Sequence, residues 1–450
     1  MQPQAFGSEF EGLEDRLLLA GNITSVLAGG VLTLTGDALA NQVQLTVGTN
    51  GQMVATGLTG TTINGLASAN FGAVNTLTVL GGAGNDSISL NHSGAVISNN
   101  VILDGGDGND TISATGKFGA NLSLLGGLGN DTLSVTNATV TNASAIPVAT
   151  NILINAGDGS DIVTVSNCKV GNTNRIDTGT DDSTGNDDDV VILTGVDDTL
   201  VVGNTIDNET VTVSGLTVTD DLKLTDNHTR GINTFRITNT TARDDVTLVS
   251  LAANDTLTMA NVTAYGKVDL DFGDGTNTLS MSKTKTFGTT PSAFLATGDG
   301  IIVNSGIGTD KIGIIDSETA GVIAINTDAG TDRVELTRVT TTRRLGTLDI
   351  DTGAGADGLV LDRISTGGVS TIVTGLGDDI FTLKNSRLIG AGTVDLDLGN
   401  NLAYVGSNTF GAIWFISGGA FSFDTLVEGA NSPSSNVAFF FFDVTNPGTF

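Results

Sequence analysis

A six-residue turn, GGxGND, constrains what this chain can fold into. It stands at residues 81–86 (GGAGND), 105–110 (GGDGND) and 126–131 (GGLGND), each time running straight into alternating apolar residues. Looser versions end on Asp161, Asp310, Asp332, Asp357, Asp379 and Asn401, and the later spacing settles at 22 to 25 residues. Between these groups, TDDLKL around Asp221, RDDVTL around Asp245 and FGDGTNTLSM around Asn277 keep the same shape. A period of this length marks a solenoid, in which no repeat can bury its own apolar face and stacked neighbours bury a continuous core.

Each repeat reads as an alternating segment (NTLTVL, NVILD, NLSLL), the glycine turn, a second alternating segment (DSISL, DTISA, DTLSV) and a polar return. Alternation sends one set of side chains inward. Val79, Ile88, Ile102, Ile112, Leu124 and Leu133 are therefore expected to stack in columns. The expected fold is all-β, a single-stranded parallel β-helix (β-solenoid) over residues 21–405 with about 22 to 25 residues per coil. A short N-terminal helix within residues 1–20 and a C-terminal cap over 406–450 would close its ends.

Composition agrees: 61 Gly against 5 Pro, with 39% hydrophobic residues spread in short runs, suits short strands joined by tight turns. With 49 acidic and 19 basic side chains the net charge is −30, which repels nucleic acid and anionic membranes and makes cations the natural partners. A lone Cys168 excludes an intrachain disulfide, and His92 and His228, expected at the surface, leave little for zinc. No apolar run approaches the roughly 18 residues of a membrane-spanning helix, so no membrane span is expected.

The glycines of the turn permit positive φ or close backbone approach. Such a turn aims several carbonyls at one spot, and the closing Asp adds a carboxylate. Coils stacked about 4.8 Å apart bring the next turn to the other side of that spot, and calcium takes about six to eight oxygens. The candidate ligands are thus Gly81, Gly82, Gly84 and Asp86, then Gly105, Gly106, Gly108 and Asp110, then Gly126, Gly127, Gly129 and Asp131, with Asp161 from the looser stretch AGDGSDIV. Asn85, Asn109 and Asn130 read as turn-stabilising amides. The bland alternative is a corner of stacked Asn and Asp without metal. The turns resemble the hemolysin-type calcium-binding repeats called RTX, whose motif is GGxGxDx followed by a large apolar residue, and that resemblance implies Ca2+ at the same positions. SGIGTDKI, DAGTDRV, TGAGADGL and TGLGDDIF keep the Asp but depart from the motif elsewhere.

Near the N-terminus, Phe10, Leu13 and Leu17 have helical spacing, and Ser8 with Glu11 fits a capping box. The stretch FEGLEDRLLLA also resembles the LEPR-XLL motif of planctomycete extracellular proteins, with Asp15 in place of the usual proline. That resemblance implies sorting to the outside or the surface of a bacterium. At the other end, Phe410, Phe415, Phe421, Phe423, Phe439, Phe440, Phe441, Phe442 and Phe450 cluster with Trp414, as a solenoid cap or a contact for self-association.

No HExxH, GxSxG or phosphate-loop signature is present. Arg338, Arg363 and Arg387, with Arg343, Arg344 and Lys384 nearby, are spaced to stack in a column that would suit an acidic polysaccharide, as in a β-helix lyase or epimerase. Only Trp414, Tyr265 and Tyr404 are available as sugar platforms besides Phe. Asp187, Asp188 and Asp189 read as an acidic loop. The expectation is a non-catalytic extracellular or cell-surface calcium-binding solenoid with a structural or adhesive role, whose partners would be calcium and extracellular polysaccharide or other surface proteins.

Overall fold

A computed structural model describes residues 21–92, 94–140, 151–180, 188–194, 197–205, 208–218, 221–226, 231–288, 300–418, 425–428 and 437–440. The described residues are all-β and form a parallel β-solenoid of about 13 turns with roughly 22 residues per coil. The expected N-terminal helix lies outside them, as does His228.

A regular coil has three parts. In one late coil these are a first strand, Val322–Asn326, a second, Arg333–Thr337, and a short third, Thr340–Thr341. Each strand pairs in parallel with its counterparts one coil before and one coil after: Val334 lies between Ile312 and Leu359, and Ile325 between Val303 and Ile350. The bounds follow from the chemistry of the sequence. Alternating β-branched and leucine residues suit a pleated, half-buried strand, and glycine or Asn interrupts them at every corner.

The inward columns form one hydrophobic core running the length of the solenoid. Ile88, Ile112 and Leu133 stack in register, as do Val79 and Leu124 with Leu103 between them. Ile102, expected in this core, instead pairs with Thr78 and Ser123 on the outward, half-exposed face. A one-residue offset moves a side chain to the opposite face of a strand, and here the turn glycines, not the apolar count, fix the register.

Two regions depart from a uniform coil. The first strands are antiparallel: Asn22–Ala28 pairs with Val31–Thr35, and Gln42–Val47 with Gln52–Gly57, which in turn pairs with Ser68–Ala73. The solenoid therefore begins in hairpins, which pair its first strands among themselves. At the other end regular pairing runs beyond residue 405. Thr409–Phe410 and Trp414–Ser417 continue the third and first strands; Thr425–Glu428 stacks on the second strand Leu402–Gly406, and Val437–Phe440 on Trp414–Ser417. Phe410 and Trp414 are buried with ring centroids 5.4 Å apart, and Trp414 covers the place where Gly392 lacks a side chain.

Candidate metal centre

The glycine turn joins the first strand to the second and makes one corner of the solenoid. In the coil of GGDGND, Gly106 and Gly108 have φ of 103° and 129°, a region that costs other residues conformational strain. Gly105 is required for another reason: a Cβ there would fall 2.2 Å from Asp110 Oδ2. The same clash, at 2.4 and 2.3 Å, holds for Gly81 with Asp86 and Gly126 with Asp131. The first glycine of the motif thus makes room for the carboxylate that ends it.

The Asn-Asp pair fastens each coil to both neighbours. The Asn side chain reaches forward: Asn85 Oδ1 accepts from the amide of Asn109 at 3.0 Å, and Asn109 Oδ1 from that of Asn130 at 2.9 Å. The Asp reaches back, with Asp110 Oδ1 accepting from the amide of Asp86 at 2.6 Å, Asp131 Oδ1 from Asp110 at 2.7 Å and Asp161 Oδ1 from Asp131 at 2.7 Å. Asn85, Asn109 and Asn130 are therefore the turn-stabilising amides expected, and Asp86, Asp110, Asp131 and Asp161 form one buried file.

The file extends beyond these residues. Asn41 heads it, donating its amide to Asp86 Oδ1 at 2.7 Å. A second run passes through Asp255, Asn277, Asp310, Asp332, Asp357 and Asp379 to Asn401, again with each amide donating to the next rung's Oδ1. Asn41 follows Gly36 by the same interval as Asp86 follows Gly81, a signal present in the sequence without its glycine-rich middle. By contrast, Asp221 and Asp245 occupy the corner before the first strand and not the glycine turn: Asp221 Oδ1 accepts from the amide of Asp245, and Asp245 Oδ1 from that of Lys267.

The second carboxylate oxygen sets the chemistry. Oδ2 of Asp86, Asp110 and Asp131 is buried without a hydrogen-bond partner. At Gly81 this oxygen and the carbonyl of Gly105 lie 2.4 and 2.3 Å from one point, the missing Cβ; at Gly126, Asp131 Oδ2 and the carbonyl of Ala156 do the same at 2.3 and 2.0 Å. Two acceptors side by side need a proton or a cation between them. The Asn rungs show what satisfies the position: Asn41 Nδ2 donates to the carbonyl of Leu39, Asn277 Nδ2 to that of Ser305, and Asn401 Nδ2 to that of Leu396. Burial accordingly pushes the Asp carboxyls up, to about 7 for Asp110 and about 6 for Asp131, and raises Asp86 as well. Buried anionic oxygens facing carbonyls are the donor set of a hard cation such as calcium, so these residues fit one.

Asp221, Asp244 and Asp245 also converge, with carboxylate oxygens within 4.8 Å of one another, but are only half-buried. Asp188 and Asp189 begin a strand, Asp188–Thr194, and so do not belong to a loop; Asp187 lies outside the described residues.

The arginine column is broken up. Arg338 and Arg363 share a corner at φ of 55° and 57°, but Asn385 holds that position in the next coil, and Arg387 pairs instead with Ser365 and Thr409 on the third strands. Arg338 is bound to Asp316 and Arg363 to Asp362, at 2.9 and 2.8 Å through Nη2. The register followed the spacing of 338 and 363 but not the two-residue offset of 387.

His92, expected at the surface, is buried. Its Nε2 accepts the amide of Lys117 at 3.0 Å, its Nδ1 has no partner, and its ring meets Phe118 edge-on at 5.0 Å. Gly116 makes this possible, since a Cβ there would lie 2.6 Å from Nε2. Compared with known proteins, the chain matches no family model, no curated protein and no solved structure.

Proposed function

We propose that this protein is a non-catalytic, calcium-binding β-solenoid that works outside the cell or on its surface, in a structural or adhesive role. One observation carries the reading: in the three GGxGND coils Oδ2 of Asp86, Asp110 and Asp131 is buried and unpartnered where glycine leaves space, and at Gly81 and Gly126 a turn carbonyl meets it there. Ions there would be held by these carboxylates and turn carbonyls, with Asp161 closing the file. In low calcium the buried carboxyls of this corner must take up protons or carry charge at the cost of burial; where calcium is plentiful, binding and folding reinforce each other. The acidic surface and the N-terminal resemblance to an exported class support the location. Calcium, extracellular polysaccharide and other surface proteins remain the proposed partners. No helix among the described residues is long and apolar enough to cross a membrane.

The test is calcium titration of chelator-treated protein by calorimetry, beside the variant Asp86→Asn, Asp110→Asn, Asp131→Asn. Asn already stands at rungs 41, 277 and 401, so the variant is expected to fold, to lose the tight sites and to lose the calcium-dependent rise in thermal stability. Wild-type protein that binds no calcium, or a variant that binds it equally, overturns the reading.

A further inference from the structure

The second run of rungs meets the same electrostatic problem with different neighbours. Where the early turns have Gly81, Gly105 and Gly126, the later ones carry Ser305, Thr327, Thr352 and Thr374. The threonine hydroxyls do not supply the missing donor. Thr327 Oγ1 donates to the carbonyl of Thr352, Thr352 Oγ1 to that of Thr374, and Thr374 Oγ1 to that of Leu396, each toward the next coil. Oδ2 of Asp310, Asp332, Asp357 and Asp379 stays buried and unpartnered. Flanking this run, Asn277 and Asn401 occupy the same place with an Nδ2 that donates to turn carbonyls.

We infer that Asp310, Asp332, Asp357 and Asp379 are a proton-held ladder, each carrying a neutral carboxyl whose Oδ2–H takes the part that Nδ2 plays in Asn277 and Asn401. The C-terminal coils are then tightened by acid and loosened by base, independently of calcium. Among the described residues no basic side chain pairs with any of the four carboxylates, and the charged groups that act on them are acidic, namely Asp328 beside Asp332, Asp378 and Asp397 beside Asp379, and the rungs themselves. On the packed first strands Asp351 and Asp395 bind the amides of Gly353 and Asp397. Lys311 and Arg333 follow two rungs in sequence but are exposed on the outward face, where Arg333 pairs with Glu335. Burial raises all four carboxyls, Asp310 to about 7 and Asp357 to about 6, against a partial lowering by the nearby hydroxyls. Because the folded pKa lies above the unfolded one, the stabilisation is complete below the ordinary Asp value of 3.8 and is lost as pH rises through about 6 to 7.

The experiment uses the full chain in chelator, so that failure of the calcium reading leaves it unaffected. Hydrogen exchange of the strands Arg333–Thr337, Gly358–Asp362 and Ile380–Lys384 is followed between ~pH 5 and ~pH 8, corrected for intrinsic exchange, with infrared absorption of neutral carboxylic acid alongside. Wild type is expected to show neutral-acid absorption at the lower pH and an opening constant that grows by up to about tenfold per pH unit for each proton lost. The variant Asp332→Asn, Asp357→Asn, Asp379→Asn should lose part of that absorption and most of the pH dependence. Absent absorption, or protection in these strands that does not change with pH, overturns the inference. So does a folded variant that keeps the wild-type pH dependence. If the variant does not fold, the wild-type exchange, resolved strand by strand, decides alone.

Discussion

The coils of residues 81–161 and those of 305–401 share a corner and a ladder of amide-to-carboxylate bonds, yet differ in the residue that opens each turn. The early turns open with glycine, apart from Ala156; the later ones open with Ser305, Thr327, Thr352 and Thr374 and close the run with Leu396. The backbone requirement is common to both, since Gly353 and Gly375 at φ of 77° answer to the positive-φ glycines of the early turns. What differs is the space around Oδ2. Glycine leaves a gap that the proposed cation would fill; the threonine side chains occupy that place and tie coil to coil, while Ser305 Oγ has no partner. The comparison teaches that the rung and its filling are separate devices; under the two proposals above, one ladder would be neutralised by different positive partners along its length.

The largest effect is expected from crowding the backbone of an early turn. In Gly127→Val, a Cβ would stand 1.8 Å from the carbonyl of Gly106 at a residue with φ of 116°. Strain and backbone displacement together should cost about 3 kcal/mol or more, seen as loss of exchange protection in Leu122–Leu128 and its neighbours. If later coils lose protection equally, the solenoid opens as one unit and the two regions are not independent.

Next in size is the response to calcium. Binding well above its dissociation constant stabilises by about 2.7 kcal/mol at a hundredfold excess per site. Exchange protection should rise across Thr111–Phe118 and Thr132–Val140 and stay unchanged across Arg333–Thr337 and Gly358–Asp362. A rise confined to the later strands would reverse the assignment of the two partners.

Much of this corner was legible before any coordinates. The fixed glycine and Asp positions gave the period, the parallel stacking and the rungs Asp86, Asp110, Asp131 and Asp161, because each has a steric or charge requirement that few residues meet. Less was legible where a requirement leaves no local mark. Ile102 looks as apolar as Leu103, and only the register tells which one faces the core. The hairpins of residues 22–73 use the same alternation as parallel strands, so direction cannot be read from it. Asp221 and Asp245 resemble rungs in sequence but occupy another corner, since a two-Asp cluster fits any tight bend. His92 offers no sign of burial except Gly116, which lies a coil away.

His92 provides a smaller test, of opposite sign to the later rungs. Desolvation by burial lowers its pKa from 6.5, and the charge of Lys117 adds to that. A depressed histidine binds fewer protons folded than unfolded, so its contribution is intact above pH 6.5 and is lost as pH falls below that value. Protonation also places a hydrogen on Nε2, where the amide of Lys117 now donates. Relative to His92→Gln, wild type should lose about 1 kcal/mol per pH unit on acidification in the strands Ser87–His92 and Thr111–Phe118, against the gain that the raised carboxyls of Asp86 and Asp110 bring to both proteins. The Gln amide oxygen can accept from Lys117, so the difference between the two proteins isolates the histidine; if the pH dependence is the same in both, His92 does not contribute to it.

The smallest effect separates the glycine corner from the one between second and third strands. Positive φ recurs there at every described coil boundary from Asn137, Asn167, Asn239 and Asn261 to Lys283, Asp316, Arg338 and Arg363. The early residues suit that backbone and stack amide to amide, with Asn167 Nδ2 on Asn137 Oδ1 at 2.6 Å and Asn261 Nδ2 on Asn239 Oδ1 at 3.0 Å. The later ones replace amides with exposed opposite charges, Arg338 beside Asp316. Exposed ion pairs are screened by water and salt, and arginine is strained where Asn is tolerated. Arg338→Asn should therefore leave thermal stability unchanged or slightly raised, and the result should not depend on salt. A clear loss that deepens at low ionic strength would mean that charge alternation holds this corner as firmly as carboxylates hold the other, and that the difference between the two halves of the solenoid reaches more than one edge.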